Sequence, residues 1–189
     1  MTTIVAARSD TGIIIAADSL ITAGWTRKLS NPSKLWTAEP YAIGAAGCLR
    51  TLQVIHHWAE WPKYRPDEDI DLEAFAVKQL VPTIFKATEG AGVAVKDHEQ
   101  VWLEAAIVIA WGDNLVEIDG DGSVVIPVAG RCAVGSGAPE AVGYLGDVGP
   151  WTVQQVVEAA RRATMTDLGS AGPIDYVTTP SLDLVRGAA

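Results

Sequence analysis

The sequence has few cysteines, little positive charge and no long apolar run. Its two cysteines, Cys48 and Cys132, lack CxxC spacing, so neither a disulfide framework nor a zinc site is expected. Fourteen Lys and Arg stand against 23 Asp and Glu, and the net charge of −9 argues against nucleic acid as a partner. No apolar run approaches the roughly 18 residues that span a bilayer, and no basic segment precedes the first strand. We therefore expect a cytoplasmic protein without a membrane segment, signal peptide or transit peptide.

The composition that is present belongs to a packed globular protein. Hydrophobic residues make up 49% of the chain and charged residues 20%, which excludes a disordered or fibrous protein. A length of 189 residues suits one domain and is short for two. We predict a single domain over residues 1–189, without repeats or linkers.

Short apolar runs separated by turn residues predict hairpins in the first part of the chain. The runs predict four strands, over residues 3–8, 13–17, 34–37 and 41–46. The first two strands are apolar without alternation, which predicts that both of their faces are covered.

Apolar residues at helical spacing follow these hairpins. They predict helices over 48–61, ended by Pro62, and over 72–84, kinked at Pro82. Later segments predict strands over 102–111, 115–118, 123–128 and 174–178, and helices from Pro139 onward and over 153–163. Strands and helices that are segregated in this way favour a layered α+β domain over a βαβ repeat.

The first candidate for chemistry is Thr2. Because a small second residue permits removal of the initiator methionine, Thr2 is a candidate for the amino-terminal residue. Its hydroxyl would then lie beside a free α-amine with an ordinary pKa of about 8, which can act as a built-in general base. Many proteins begin with Met-Thr without any such consequence, so this feature alone leaves both interpretations open.

Hairpin register adds further candidates near the chain start. If the first turn is centred between residues 10 and 11, Thr3 faces Asp18 and Thr2 faces Ser19. If the second hairpin has the three-residue turn 38–40, Lys34 faces Gly44.

These side chains make chemical sense together. A lysine near a hydroxyl lowers the pKa of that hydroxyl, and a buried aspartate keeps the lysine charged and oriented. A glycine N–H can donate to the oxyanion of a tetrahedral intermediate. The alternative for Asp18 and Lys34 is an ordinary ion pair at the ends of strands.

Six motifs in this order carry a resemblance to a known family. They are Thr2-Thr3-Ile4-Val5, Ala16-Ala17-Asp18-Ser19, Lys34, Gly44-Ala45-Ala46-Gly47, Gly135-Ser136-Gly137 and Asp167-Leu168-Gly169-Ser170. With them, the chain resembles the β-type subunits of the proteasome and the bacterial heat-shock-locus-V (HslV-type) peptidase, both N-terminal-nucleophile hydrolases. The resemblance runs from Thr2 to about Val177.

The resemblance implies a four-layer αββα sandwich, assembly into homo-oligomeric stacked rings and hydrolysis of peptide bonds in polypeptide substrates. It also implies a separate ATP-dependent unfoldase, since no nucleotide-binding motif was found in this sequence. No cofactor and no metal ion are expected.

The same resemblance implies the roles of individual residues. Thr2 is the nucleophile and its own α-amine the base, Lys34 and Asp18 activate it, and the Gly44 N–H is the oxyanion donor. The family's supporting residues around the threonine are matched by Ser136, Asp167 and Ser170. The implied substrate-binding residues are Ile21, Thr22, Pro32 and Ala46. Of these, Thr22 would pair its backbone with an extended substrate, and the other three would line an apolar specificity pocket that favours cleavage after apolar residues.

Several alternatives stay open at this point. A catalytically silent ring or scaffold subunit would keep the fold, and an N-terminal-nucleophile amidase would act on a small amide. A retained Met1 would displace the α-amine by one residue and abolish the mechanism. Residues 119–123 resemble a calcium loop but favour a hairpin turn, and His56, His57 and Glu60 favour a solvated helix edge over a metal site.

Overall fold

The computed structural model describes residues 2–23, 26–29, 34–64, 71–97 and 100–188. The strands are β1 (Ile4–Ser9), β2 (Gly12–Asp18), β3 (Leu20–Ala23), β4 (Thr26–Leu29), β5 (Leu35–Ala38), β6 (Tyr41–Gly47), β7 (Val95–Asp97), β8 (Gln100–Trp102), β9 (Ala105–Trp111), β10 (Asn114–Ile118), β11 (Val124–Val125), β12 (Arg131–Val134), β13 (Ile174–Thr178) and β14 (Leu184–Ala188). The helices are α1 (Leu49–Trp58), α2 (Leu72–Phe75), α3 (Val81–Gly90), α4 (Ala138–Leu145) and α5 (Val153–Thr166), with a π-helical segment at Ala76–Leu80 between α2 and α3.

Two five-stranded antiparallel sheets form the centre of the molecule. Their strand orders are β12-β1-β2-β13-β14 and β11-β10-β9-β6-β5. Apolar side chains of both sheets meet in one core cluster between them, which includes Ile4, Ile15 and Val108. A second cluster joins the first sheet to α4 and α5, and a third joins the other sheet to α1 and the α2–α3 region. The order of layers is therefore helices, sheet, sheet, helices, and the predicted four-layer α+β sandwich is confirmed.

The first two strands show why the central strands are apolar throughout. On β1, Ile4 and Ala6 face the other sheet, while Val5 and Ala7 face α4 and α5. All four side chains are fully buried. Because both faces of the sheet are covered, neither face selects polar residues, and the alternation of a half-exposed strand is absent.

The two predicted hairpin registers have different outcomes. In the first hairpin, Ile4 pairs with Ala17 and Thr3 accepts a hydrogen bond from the Asp18 amide, as predicted. In the second hairpin, Leu35 and not Lys34 pairs with Gly44, so that prediction is wrong. The physical reason is the turn, because Ala38 pairs with Tyr41 and leaves two residues in the loop where three were predicted.

The helical predictions hold in type but not at every boundary. Helix α1 ends at Trp58, before the predicted residue 61, because the chain is already extended at Ala59. The kink expected near Pro82 takes the form of the π-helical segment directly before α3, whose first turn contains this proline. A proline lacks the N–H that a continuous helix would require at that position. Pro139 lies in the first turn of α4, as predicted.

Six strands were not predicted, namely β3, β4, β7, β8, β12 and β14. The strand predicted over 123–128 is reduced to two residues, Val124–Val125. Among the described residues, no helix has both the length and the apolar character needed to cross a bilayer.

Candidate functional site

Thr2 lies directly before β1 and is nearly inaccessible, with 3% of its surface exposed. Its backbone nitrogen donates to Ser136 Oγ at 3.1 Å, and its carbonyl oxygen accepts from the Gly137 amide at 3.3 Å. The close approach needs small residues, because a Cβ at Gly135 or Gly137 would clash with Thr2 or with Thr3. The Gly-Ser-Gly segment after β12 therefore holds the start of the chain in place.

Asp18, at the end of β2, collects four hydrogen bonds beneath this threonine. Its Oδ1 accepts from the Thr3 amide at 2.8 Å and from Lys34 Nζ at 2.7 Å. Its Oδ2 accepts from the amides of Leu20 and Ala171, each at 3.1 Å. Asp18 is 1% exposed. A buried carboxylate is tolerated when charge and donors both compensate for lost water, and here all four contacts do so.

Lys34 is also buried, with 5% of its surface exposed. Burial lowers the pKa of its ammonium group below the usual value, while Asp18 and, less strongly, Asp167 act in the opposite direction. Lys34 lines the same cavity as Thr2. Lys34, Asp18 and Thr2 are separated in the sequence, and the structure thus brings them together.

A second carboxylate, Asp167, follows α5 and is half-buried. Its Oδ2 accepts from Ser136 Oγ at 2.7 Å and from Ser170 Oγ at 2.5 Å, and its Oδ1 accepts from the Gly169 amide at 3.1 Å. Burial acts to raise the pKa of Asp167, but these hydrogen bonds outweigh burial and hold the pKa below its ordinary value.

Thr3 connects the two carboxylates, a role that the sequence analysis missed. Its amide donates to Asp18, and its Oγ1 lies 2.7 Å from Ser170 Oγ, which in turn donates to Asp167. The register of the first hairpin already placed Thr3 opposite Asp18, so that half of the signal was available. The contact with Ser170 joins residues 167 positions apart and leaves no local signal.

Two cavities open at Thr2. The first has a volume of about 310 Å³, and the second has a volume of about 260 Å³. The residues lining the first cavity are Thr2, Leu20, Ile21, Thr22, Lys34, Gly47, Cys48, Leu49, Arg50 and Leu52. The residues lining the second cavity are Thr2, Ala46, Gly47, Ala105, Ala106, Gly135 and Ser136. Of the predicted substrate-binding residues, Ile21 and Thr22 thus line the first cavity, Ala46 lines the second, and Pro32 lies outside the described residues.

Gly44 lies elsewhere than predicted. It pairs with Leu35 on one side and Val108 on the other, and a Cβ at this position would contact Ile4, Leu35 and Ile15. Its place is therefore inside the sheet and against the opposite sheet, and it lines neither cavity at Thr2.

Gly47, at the end of the same strand, has the geometry that was predicted for Gly44. The Ala45 amide donates to the Lys34 carbonyl, toward β5, whereas the Cys48 amide donates to Glu104, on the β9 side. Amides alternate in direction along a strand, so the Gly47 N–H points away from β9, whereas the Gly44 N–H points toward it. Gly47 lines both cavities at Thr2 and lies three residues beyond the glycine that was predicted from the hairpin register.

The alternative sites take ordinary structural roles. Residues 119–123 form a hairpin turn, in which the Asp119 amide donates to the Ser123 carbonyl between β10 and β11. His56 stacks between Trp36 and His57 on α1. No group of three or more His, Cys, Asp or Glu side chains arranged to hold a metal ion occurs in the part of the chain that the structure describes.

Comparisons with known proteins find similarity in sequence and in fold. No family model matches the chain. The ATP-dependent protease subunit HslV of Borrelia turicatae (strain 91E135) is 29% identical over 139 residues, which are 72% of this chain and 71% of that protein.

Solved structures share the fold over nearly the whole chain. Thiobacillus denitrificans BPH superposes with a TM-score of 0.74 at 17% identity, covering 98% of both chains, and its complex with epoxomicin is also solved. HslV from Trypanosoma brucei gives a TM-score of 0.64 at 22% identity, covering 97% of this chain and 99% of that one. Together with the sequence relative, these structures confirm the resemblance of the chain to the HslV and proteasome type of N-terminal-nucleophile hydrolases.

Proposed function

We propose that this chain is a threonine endopeptidase whose nucleophile is Thr2 after removal of Met1. The observation that carries the proposal is the contact set around Thr2: the buried Lys34–Asp18 pair on one side, and Ser136 bonded to both the Thr2 nitrogen and Asp167 on the other. The relative from Borrelia turicatae is named a protease subunit, which supports peptidase chemistry.

The proposed reaction starts at the Thr2 hydroxyl. The free α-amine of Thr2 takes the hydroxyl proton, directly or through a water, and Oγ1 attacks the carbonyl carbon of the scissile peptide bond. The buried Lys34 ammonium stabilises the developing alkoxide, and Asp18 holds this ammonium at 2.7 Å. The α-ammonium then protonates the leaving amine, and an ester to Thr2 remains.

Gly47 replaces Gly44 as the proposed oxyanion donor. Its N–H points away from β9 and its residue lines both cavities at Thr2. A donor fixed in the backbone costs no reorganisation when the carbonyl oxygen becomes negatively charged. Water, activated by the same α-amine, then hydrolyses the ester and restores the hydroxyl.

The supporting serines would orient the terminal amine. In the structure the Thr2 nitrogen donates to Ser136 Oγ, which donates to Asp167, and Ser170 fixes the same carboxylate. Once Met1 is absent, this nitrogen is the base, so Ser136 would direct its lone pair toward the Thr2 hydroxyl.

Assembly and partners belong to the same proposal. The implied homo-oligomeric rings would enclose the site and admit unfolded polypeptides only. A separate ATP-dependent unfoldase would supply them, in keeping with the name of the relative, an ATP-dependent protease subunit.

The first test is the intact mass of the purified protein before and after exposure to a peptide epoxyketone. This inhibitor needs a hydroxyl and a free α-amine on one residue. We expect a species lighter by one methionine that gains one inhibitor. A stable species that retains Met1 and forms no adduct contradicts the mechanism and favours the silent ring subunit.

Two variants identify the nucleophile. Thr2→Ala keeps a small second residue, so Met1 is still removed, and peptide hydrolysis falls on the order of 10³-fold or more because the attacking hydroxyl is gone. Lys34→Ala has nearly the same effect. The matched control is Thr37→Ala, an exposed threonine on β5, which keeps its activity. Full activity of Thr2→Ala, with its assembly unchanged, contradicts the proposal.

A further inference from the structure

The larger cavity at Thr2 is positively charged in a protein that is negative overall. The chain carries a net charge of −9. The charged residues among the described residues that line this cavity are Lys34 and Arg50, and no aspartate or glutamate is among them. A cavity with one sign of charge and low-dielectric walls concentrates ligands of the opposite sign.

The two cations differ in their availability. Lys34 is buried and held by Asp18 at 2.7 Å, so its charge is largely compensated. Arg50 is exposed and, within the described residues, its guanidinium has neither an ion pair nor a hydrogen bond. Arg50 is therefore the group in this cavity that can accept a new anionic partner.

The start of helix α1 reinforces this charge. Cys48 is the N-cap residue, its side chain makes no capping hydrogen bond, and the first turn contains no acidic residue. Cys48, Leu49 and Arg50 all line the cavity. The positive end of the helix dipole thus acts in the same direction as the guanidinium.

The remaining wall is apolar. Leu20, Ile21, Leu49 and Leu52 contribute hydrocarbon surface to the cavity. A substrate side chain that packs against these apolar walls and also pairs with Arg50, at the rim of the cavity, has a hydrocarbon stem and a negatively charged end. Glutamate has this chemistry, whereas leucine satisfies only the walls and lysine is repelled at the rim.

Resting on the proposed function, we infer that Arg50 determines specificity by favouring peptides with glutamate at the residue that acylates Thr2. The carbonyl of that residue is attacked at Thr2 Oγ1, so its side chain lies next to the cavities at Thr2, and the larger of them is lined by Arg50. This replaces the sequence expectation of cleavage after apolar residues.

The test measures binding and not turnover, so it is independent of whether Thr2 reacts. Thr2→Ala protein is titrated with two fluorescent peptides that carry Glu or Gln at this one residue, with blocked termini. Exposed ion pairs contribute about 0.2–1 kcal/mol, which corresponds to about 1.4- to fivefold tighter binding of the Glu peptide. The preference should decrease as salt is raised toward about 1 M.

Variants of the arginine assign the effect. Adding Arg50→Gln makes the two affinities equal, and adding Arg50→Lys retains part of the preference. The matched control Arg162→Gln, an exposed arginine on α5, leaves the preference unchanged. Equal affinities in the Thr2→Ala protein, no binding of either peptide, or an unchanged preference in Arg50→Gln would overturn the inference. Failure of the proposed function would appear separately, as absence of the epoxyketone adduct in the unmodified sequence.

Discussion

The two carboxylates beside the chain start, Asp18 and Asp167, are stabilised in different ways. Asp18 is 1% exposed and is matched by a full opposite charge, Lys34, and by three backbone amides. Asp167 is half-buried and is matched by two hydroxyls and one amide.

The difference follows from access to water. A charge that loses all of its hydration needs an opposite charge, because neutral donors alone do not compensate for desolvation. A charge that keeps part of its hydration is held adequately by hydroxyls. The buried Lys34–Asp18 pair would act on the Thr2 hydroxyl. The hydroxyls of Ser136 and Ser170, which donate to Asp167, would orient the Thr2 nitrogen.

The largest expected effect comes from removing the buried charge. Asp18→Asn leaves the Lys34 ammonium buried without a carboxylate, and we expect the free energy of unfolding to fall by about 3–5 kcal/mol. Urea denaturation measures this change. The exposed Asp113 provides the control Asp113→Asn, with a change within about 0.5 kcal/mol. A loss below about 1 kcal/mol for Asp18→Asn would show that Lys34 keeps its compensation by other means.

A second variant sharpens the same point. Lys34→Met in the Asp18→Asn background removes the unpaired cation while keeping an apolar stem. We expect the double variant to be about 1–3 kcal/mol more stable than Asp18→Asn alone, and the single variant Lys34→Met completes the double-mutant cycle that measures the coupling. Additive effects of the two substitutions would contradict a dominant charge pair.

A smaller effect is expected at the hydroxyl chain. Ser170→Ala leaves Thr3 Oγ1 and Asp167 each short of one partner, at a cost of about 1–2 kcal/mol in unfolding free energy. Ser181→Ala, in an exposed turn, is the matched control. A cost for Ser170→Ala as large as that for Asp18→Asn would remove the contrast between the two sites.

The smallest effect is a pH dependence at Asp167. Its pKa lies below the ordinary value of 3.8, so the unfolded chain binds this proton at a higher pH than the folded chain. The stabilisation is present above the unfolded value and is lost as the pH falls through the folded value. The stability difference between the unmodified protein and Asp167→Asn should shrink as the pH falls below about 5. A stability difference that grows as the pH falls would contradict a lowered pKa of Asp167.

The two sites also differ in how far sequence reasoning reached them. The contact between Asp18 and Thr3 follows from hairpin register alone, since the two residues lie 15 positions apart on neighbouring strands. Ser136, Asp167 and Ser170 came only from the resemblance to a family, because a contact such as that between Thr2 and Ser136 spans 134 residues. The roles of all these residues in catalysis stay predictions.

The error at Gly44 has a similar cause. The hydrophobic pattern predicted strands β5 and β6 well, but it did not determine how many residues form the turn between them. A loop shorter by one residue placed Leu35 opposite Gly44 and directed the Gly44 amide into the sheet. Register has a period of two, so an error of one residue exchanges the roles of neighbouring amides.

The sequence by itself determined the layered fold, because strands that are apolar on both faces must be covered on both faces, and it determined the first hairpin with Thr3 opposite Asp18. Only the tertiary structure decided that Gly47 lines the cavities at Thr2 and that Arg50 lies at the rim of the larger one. Periodicity and turn chemistry act over a few residues, whereas a cavity is closed by segments whose meeting depends on the packing of whole layers.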